Sequence, residues 1–201
     1  MATFTKTVKQ SGTVTMQTID RADLTEEALV EYAIPLSAMR VHDNFAANLA
    51  STATSGDMGL VTGTPGTDAP TLQGSDFGGG SVSDKATFQF ALPPEYVSGG
   101  PISLRLRAAM LTTVSDGTAT VDVECWPQDD DGGASADICA TAAQSINSLT
   151  PAAKTFTITP TNLLPGEILT FRLSFGGSDA GDAGVMVPEI SKVSVLLNIR
   201  G

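Results

Sequence analysis

Apolar and polar residues alternate along the last ten positions of the chain, Lys192–Gly201. Four apolar residues share one face of this segment: Val193, Val195, Leu197 and Ile199. The opposite face is polar except at Leu196. A period of two is typical of a β-strand with one buried face. Because only pairing can fix a strand at a chain terminus, we expect this strand to lie at or near the centre of its sheet.

The same alternation predicts seven further strands. They run over 13–19, 29–36, 85–92, 102–110, 118–126, 154–159 and 168–175. Turns rich in Gly, Pro and Asp follow several of them, and Pro93-Pro94 ends one strand because proline cannot donate to a β-ladder. With the strand at 192–199, about eight strands of this kind are typical of an all-β, antiparallel β-sandwich of jelly-roll type.

For two segments, the sequence does not decide between a helix and a strand. Residues 24–32 could form a short helical turn capped by Asp23 or Thr25, although 29–36 fits a strand better. Residues 137–146 could form either a short helix or another strand. Neither choice changes the predicted fold class.

Two regions fall outside the regular β pattern. Residues 1–28 indicate an extended N-terminal arm, and 29–201 then form a single β-sandwich domain. Within that domain, residues 51–83 are rich in Gly, Ser, Thr and Asp, with eight glycines between Gly56 and Gly80. We expect a long loop here, because such a stretch inside a compact domain is normally a functional loop or a surface that a partner orders.

The composition limits the classes of partner. The net charge is −11, with 11 basic residues that form no run, which argues against nucleic acid because phosphate binding needs clustered Lys and Arg. Charged residues make up 16%, below the roughly 25% usual in soluble domains. The 25 threonines indicate solvated faces built from hydroxyl groups, which are less costly to cover in an assembly.

Membrane insertion and export are not expected either. No segment approaches the roughly 18 consecutive apolar residues of a membrane helix. The first 12 residues lack the apolar core and the cleavage site of a secretory signal. Two cysteines, Cys125 and Cys139, are too few for a disulfide framework; two small buried thiols are favoured, with a single bridge left open.

The catalytic candidates are weak. The only histidine, His42, precedes Asp43, but a base and its orienting acid must meet through space, and adjacent strand residues point apart. The chain has no nucleophile elbow, no paired-histidine zinc motif and no phosphate-binding loop. We therefore expect a protein that is not an enzyme, with no catalytic residue and no cofactor.

Two acidic loops are candidates for metal binding. Asp129-Asp130-Asp131, with Asp137 nearby, could offer oxygen ligands to Ca²⁺ but lacks the EF-hand spacing and its terminal glutamate. Asp179 and Asp182 form a second such loop. Solvated loops are the favoured interpretation of both, so no metal site is predicted.

Four residues are candidates for an interface. Trp126 falls on the polar face of its predicted strand, where an aromatic ring could anchor a protein interface or stack on a sugar. Only 5% of the residues are aromatic, so an interface or partial core packing is favoured. Leu196 is the exception on the polar face of the last strand, and Phe4 and Met16 are apolar residues of the arm.

Four stretches together resemble a family of tailed-bacteriophage virion proteins. They are 32–42 (YAIPLSAMRVH), 90–96 (FALPPEY), 145–150 (SINSLT) and 195–201 (VLLNIRG). The resemblance implies a structural protein of the particle, a head decoration or cement protein. Such proteins are often small β-rich folds that sit as trimers on the capsid exterior. It thus implies a homotrimer bound to the major capsid protein, made in the host cytoplasm and stabilising the head.

Two other functions use the same fold. A receptor-binding module of a head or tail fibre would recognise a glycan or a host surface through Trp126. A carbohydrate-binding module of an enzyme is the second alternative, weakened by the missing export signal and the few aromatic residues.

Overall fold

The computed structural model describes nine stretches of the chain. They are residues 4–10, 13–19, 27–54, 56–64, 66–78, 80–112, 115–128, 135–179 and 184–200. At 4–10, 13–19 and 27 it describes the backbone alone.

The described residues form strands joined by turns and irregular segments, with a single 3₁₀ turn at Leu36–Ala38 and no α-helix. The strands are Phe4–Gln10 (β1), Thr13–Ile19 (β2), Glu27–Ile34 (β3), Arg40–Val41 (β4), Asn44–Asn48 (β5), Gly59–Val61 (β6), Thr71–Gln73 (β7), Ser81–Ala91 (β8), Ile102–Met110 (β9), Thr118–Pro127 (β10), Gln144–Ser145 (β11), Ala152–Ile158 (β12), Ile168–Ser178 (β13) and Pro188–Arg200 (β14).

Two antiparallel sheets pack face to face. The sheet we call sheet I has the order β11-β10-β13-β8-β4-β5. The other, sheet II, has the order β12-β9-β14-β7-β6, with β3 also paired to β14. The longer strands from β8 to β14 fall alternately in the two sheets, so their connections cross the sandwich. The predicted all-β sandwich of jelly-roll type is confirmed.

The core lies between the two sheets and follows the predicted alternation. Phe88 of β8 stacks on Phe171 of β13, with ring centroids 5.0 Å apart, and both side chains are fully buried. From sheet II, Leu104, Phe156 and Val195 meet them with no exposed surface. Inward positions of neighbouring strands therefore form one continuous apolar layer.

The last strand, β14, occupies the interior of sheet II. It pairs with β9 along one side and with β3 and β7 along the other. The expectation of a central position is therefore confirmed. A shift of register between Ile190 and Lys192 lets the strand extend back to Pro188, four residues before its predicted start.

The segment 51–83, expected to be a long loop, contains two short strands of sheet II, β6 and β7. Met58, Leu72 and Phe77 from this segment are buried in the core. Three-residue strands carry too little alternation to be recognised, and the many glycines conceal them. The chain's own core thus orders the described parts of this segment.

At the N-terminus, β1 and β2 form a two-stranded antiparallel hairpin within the predicted arm. The next strand, β3, begins at Glu27 and ends at Ile34, because Pro35 follows, whereas the predicted strand was 29–36. At 137–146, which could have been a helix, the structure has the short strand β11 and a bridge between Cys139 and Ile158.

Candidate functional site

The outer face of sheet I carries Trp126 in a row of polar side chains. In register, Trp126 lies opposite Thr170 of β13, which lies opposite Gln89 of β8. The Gln89 amide donates to Thr170 Oγ1 at 3.3 Å and to Gln128 Oε1 at 3.4 Å. We call these four residues the Trp126 row. The prediction that Trp126 points away from the core is correct.

The Trp126 ring is not a free platform. The Arg172 guanidinium lies over it, 5.0 Å from the ring centroid, and Trp126 is half-buried. Arg172 is held by Glu124, whose Oε2 accepts its Nε–H at 2.5 Å. Two positions before Glu124, burial raises the pKa of Asp122. A sugar could stack on Trp126 only beside the guanidinium or after it moves.

The outer face of sheet II concentrates basic side chains. Lys192 Nζ lies 2.8 Å from Glu31 Oε1, and Arg105 Nη1 lies 3.5 Å from Glu31 Oε2. Arg107 lies on the same face, and within the described residues its side chain makes no hydrogen bond or ion pair. These side chains surround a shallow cavity of about 180 Å³. Three cations facing one carboxylate make this area positive in a protein of net charge −11.

Leu29 lies on the same face as Glu31, two residues earlier on β3, and is 62% exposed. The hydrogen bond from Lys192 lowers the pKa of Glu31, with a smaller contribution from Ser194. The carboxylate therefore stays charged and keeps Arg105 and Lys192 in place. We call Leu29, Glu31, Arg105, Arg107 and Lys192 the β3 face.

His42 is paired with an aspartate that the sequence did not single out. The turn between β4 and β5 carries His42 and Asp43, and His42 Nδ1 lies 3.0 Å from Asp57 Oδ1. Adjacent residues in a turn need not diverge as they do in a strand, so Asp43 also lies near the imidazole. The partner is 15 residues away, and no spacing in the sequence indicates this contact.

The acidic loop 129–131 lies outside the described residues, as does Asp182. Asp137, its predicted companion, has a structural role: Oδ1 accepts the backbone N–H groups of Cys125 and Cys139, both at 2.9 Å. Asp179 is buried and accepts from Ser115 Oγ and the Asp116 N–H. Both carboxylates thus organise the backbone around them, Asp179 from a buried position and Asp137 from an exposed one.

The cysteines are free thiols. Cys125 is fully buried, and Cys139 is half-buried. Burial raises the pKa of both thiols, which makes them poor nucleophiles and poor metal ligands. Two thiols were the favoured expectation, and the structure has them.

Phe4 and Met16 lie on the hairpin, Phe4 opposite Ile19 and Met16 opposite Thr7. Their side chains lie outside what the structure describes, so their place in an interface stays a prediction.

Among solved structures, this chain is similar to several β-sandwich proteins. A xylan-binding module shares 17% identity over 85% of this chain and 97% of its own, with a TM-score of 0.45. The enzymatically active domain of tailspike protein 4 of bacteriophage CBA120 shares 13% over 85% of this chain, with a TM-score of 0.40. A chain of infectious bursal disease virus, Gx strain, shares 14% over 96%, with a TM-score of 0.39.

This chain spans only 19% of the tailspike chain and 35% of the bursal disease virus chain. No family model and no curated protein matches it. With TM-scores below 0.5, these likenesses say nothing about what the chain binds. Within the described residues, no helix is long and apolar enough to span a membrane.

Leu196, the remaining interface candidate, lies on the outer face of sheet II between Glu31 and Ser103 and is only 6% exposed. A side chain that is already covered offers little surface to another subunit. Its role in an interface stays a prediction, whereas its burial indicates that it stabilises the fold.

Replacing Leu196 by Ser is therefore expected to lower the free energy of unfolding by about 2 kcal/mol, since it removes buried apolar surface. Urea denaturation followed by circular dichroism measures this change. The matched control is Leu29→Ser on the neighbouring strand, which is 62% exposed and should cost less than about 0.5 kcal/mol. Equal stabilities of the two variants would contradict the conclusion that Leu196 stabilises the fold.

Proposed function

We propose that this protein is a non-enzymatic structural protein of a phage particle, which binds the outer surface of the capsid as a decoration protein and stabilises the head. It acts as a homotrimer and is made in the host cytoplasm. The resemblance of the sequence to phage virion proteins motivates this proposal. The observation that carries it is that no described residue outside the hairpin pairs with β1 or β2, and none pairs with the second edge of β3.

The hairpin has unused pairing capacity. Within the described residues, β1 and β2 pair only with each other, over seven residue pairs. An isolated two-stranded hairpin is only marginally stable in water. Its unpaired backbone groups therefore favour a second surface, and a neighbouring protein of the particle supplies one.

The strand that follows has an open edge. β3 pairs with β14 along one side, and no described residue pairs with its other side. Every second residue of this eight-residue strand directs its N–H and C=O away from β14, and an edge of this kind is a template for adding a strand from another chain. Leu29 is exposed on β3 itself, and the cations of the β3 face lie across the same outer surface on β14 and β9, so a partner that covers this surface meets apolar surface and charge as well.

Deleting residues 1–26 tests this proposal directly. The sandwich should keep a cooperative thermal transition, because no described strand of the two sheets lies before Glu27. Binding to heads stripped of the protein should fall at least tenfold, measured by co-sedimentation. A Trp126→Ala variant is the control, since it changes the outer face of the other sheet and should bind heads as the wild type does.

Cryo-EM of intact particles decides the location. Density for this chain on the head shell, with its N-terminal hairpin against the capsid, supports the proposal. Density on the tail, or full binding by the 27–201 variant, contradicts it. Light scattering on the isolated protein tests the trimer, and a monomer at high concentration would contradict that part.

The Trp126 row favours a second candidate, a receptor- or carbohydrate-binding module. An aromatic ring flanked by the amides of Gln89 and Gln128 offers stacking and hydrogen bonds to a sugar. A glycan array tests this candidate. Strong binding that Trp126→Ala abolishes would support sugar recognition and contradict the decoration role; absence of any binding would leave the decoration role as the better explanation.

A further inference from the structure

Three potential metal ligands meet where the β4–β5 turn contacts the segment before β6. The imidazole of His42 and the carboxylates of Asp43 and Asp57 each offer one ligand atom, and these three atoms lie within 4.8 Å of one another. His42 Nδ1 lies 3.0 Å from Asp57 Oδ1. The side chains of His42 and Asp57 are 21% and 28% exposed, so the cluster is partly enclosed yet open to solvent.

The backbone on both sides of the cluster is held in place. Asp57 exchanges two backbone hydrogen bonds with Thr54, at 2.9 and 3.0 Å, and the next residue, Met58, is fully buried. On the other side, Arg40 of β4 donates to Asn48 Oδ1 of β5 at 2.6 Å across the hairpin. Ligands on fixed backbone lose little freedom when an ion binds.

We propose that His42, Asp43 and Asp57 form a binding site for a divalent transition-metal ion of the zinc type. Zinc binds imidazole nitrogen and carboxylate oxygen at about 2.0–2.2 Å in a tetrahedron, whose ligand atoms are then about 3.3–3.6 Å apart. The three ligand atoms lie within 4.8 Å of one another, so small side-chain rotations bring them to this spacing. Water takes the fourth position.

The number and type of ligands select the ion. Calcium takes six to eight oxygen ligands, so two carboxylates and an imidazole suit it poorly. Imidazole with carboxylates suits zinc and its neighbours in the transition series. The bound ion ties the β4–β5 turn to Asp57, just before β6, in place of the direct His42–Asp57 contact, so it stabilises this end of the sandwich. This inference does not depend on the proposed capsid role.

Isothermal titration of metal-free protein with ZnCl₂ is the test. We expect one site per chain in the wild type, and a dissociation constant raised at least tenfold in His42→Ala and in Asp57→Asn. Asp43→Asn should weaken binding less, because Asp43 is exposed. The matched control is Glu95→Gln, an exposed acid on another loop, which should bind zinc as the wild type does.

Two more measurements test whether the thiols or the acidic loop at 129–131 contribute to zinc binding. Cys139→Ser and a variant with Asn at 129–131 should keep wild-type affinity. Cobalt in place of zinc should give the visible absorption of tetrahedral coordination in the wild type but not in His42→Ala. Circular dichroism shows that each variant is folded. Unchanged zinc affinity in folded His42→Ala, or no binding by the wild type, would overturn the proposal.

Discussion

Deleting residues 196–201 is expected to leave the chain unfolded. This change removes five of the eight residue pairs between β14 and β3, and the last pairs between β14 and β9, at Ser103 and Ile102. It also removes Leu197, which is fully buried in the core. A buried Leu alone contributes about 2–5 kcal/mol, and the stability of a typical domain is only about 5–15 kcal/mol.

The loss extends beyond one strand. Asn198 O accepts the Val97 N–H at 3.0 Å, and the Arg200 N–H donates to Glu95 O at 2.8 Å, so the 93–100 loop is anchored on the same six residues. The buried Ile102 of β9 and the half-buried residues of β3 would face water without a partner. Because these contacts join β3, β9 and this loop, their loss is cooperative rather than local.

Far-ultraviolet circular dichroism during heating measures the effect. The truncated protein should show no cooperative transition, and the Trp126 fluorescence should be that of an exposed indole. Removal of Gly201 alone is the control and should leave the transition unchanged. A truncated protein that melts like the wild type would show that β14 is peripheral to stability, against its central position in sheet II.

The long strands could be predicted from the sequence because burial enforces their alternation. β9 lies at 102–110, as predicted, since every inward position from Ile102 to Met110 is apolar and buried. The short strands β4, β5, β6 and β7 were missed, and β11 falls in the segment 137–146, where a helix or a strand was left open. With two to five residues each, they have no readable period, and their pairing depends on neighbours from distant parts of the chain.

In the candidate sites, too, only the features that depend on local sequence could be predicted. Side chains alternate between the inner and outer face along β10, and this alternation can be read from local sequence. The outward direction of Trp126 could therefore be predicted. Its cover by Arg172, and the contact between His42 and Asp57, are set by register and loop placement across the fold. Local sequence carries no trace of such contacts, which is why His42 was paired in sequence with Asp43 alone.

A substitution of Asp84 in β8 is the other change that we expect to have a large effect on stability. Asp84 lies on the inward face of β8, as Ala86 and Phe88 do, and it is completely buried beside the core. The charge is stabilised by backbone donors: the Gly56 N–H to Oδ1 at 3.0 Å and the Ser75 N–H to Oδ2 at 2.5 Å. Both donors belong to the 51–83 segment, so one side chain holds two parts of it against the sandwich.

The close approach at Asp84 also depends on Gly74. A Cβ atom at Gly74 would lie 2.7 Å from Pro188 Cγ and 3.3 Å from Asp84 Oδ2, so a larger residue would press on both. The Gly74 N–H donates to Pro188 O at 3.0 Å, which ties the segment to the start of β14. The glycine-rich composition that suggested a loop thus serves, at this position, close packing against a buried carboxylate.

Asp84→Asn is expected to lower the free energy of unfolding by about 2–4 kcal/mol, since the new amide nitrogen cannot accept either N–H and one buried donor loses its partner. Urea denaturation measures this loss, and hydrogen exchange should become faster at the Gly56 and Ser75 amides than elsewhere. Asp68→Asn, at an exposed position of the same segment, is the control and should change stability by less than about 0.5 kcal/mol.

The two readouts distinguish the role of Asp84 from a general loss of packing. If Asp84 only filled space in the core, an amide of nearly the same shape would preserve both stability and local exchange. If it holds the 51–83 segment through its charge, exchange at Gly56 and Ser75 rises even under conditions where β9 and β13 remain protected. Wild-type stability of Asp84→Asn, with unchanged exchange at both amides, would show that the segment is held by its apolar residues alone.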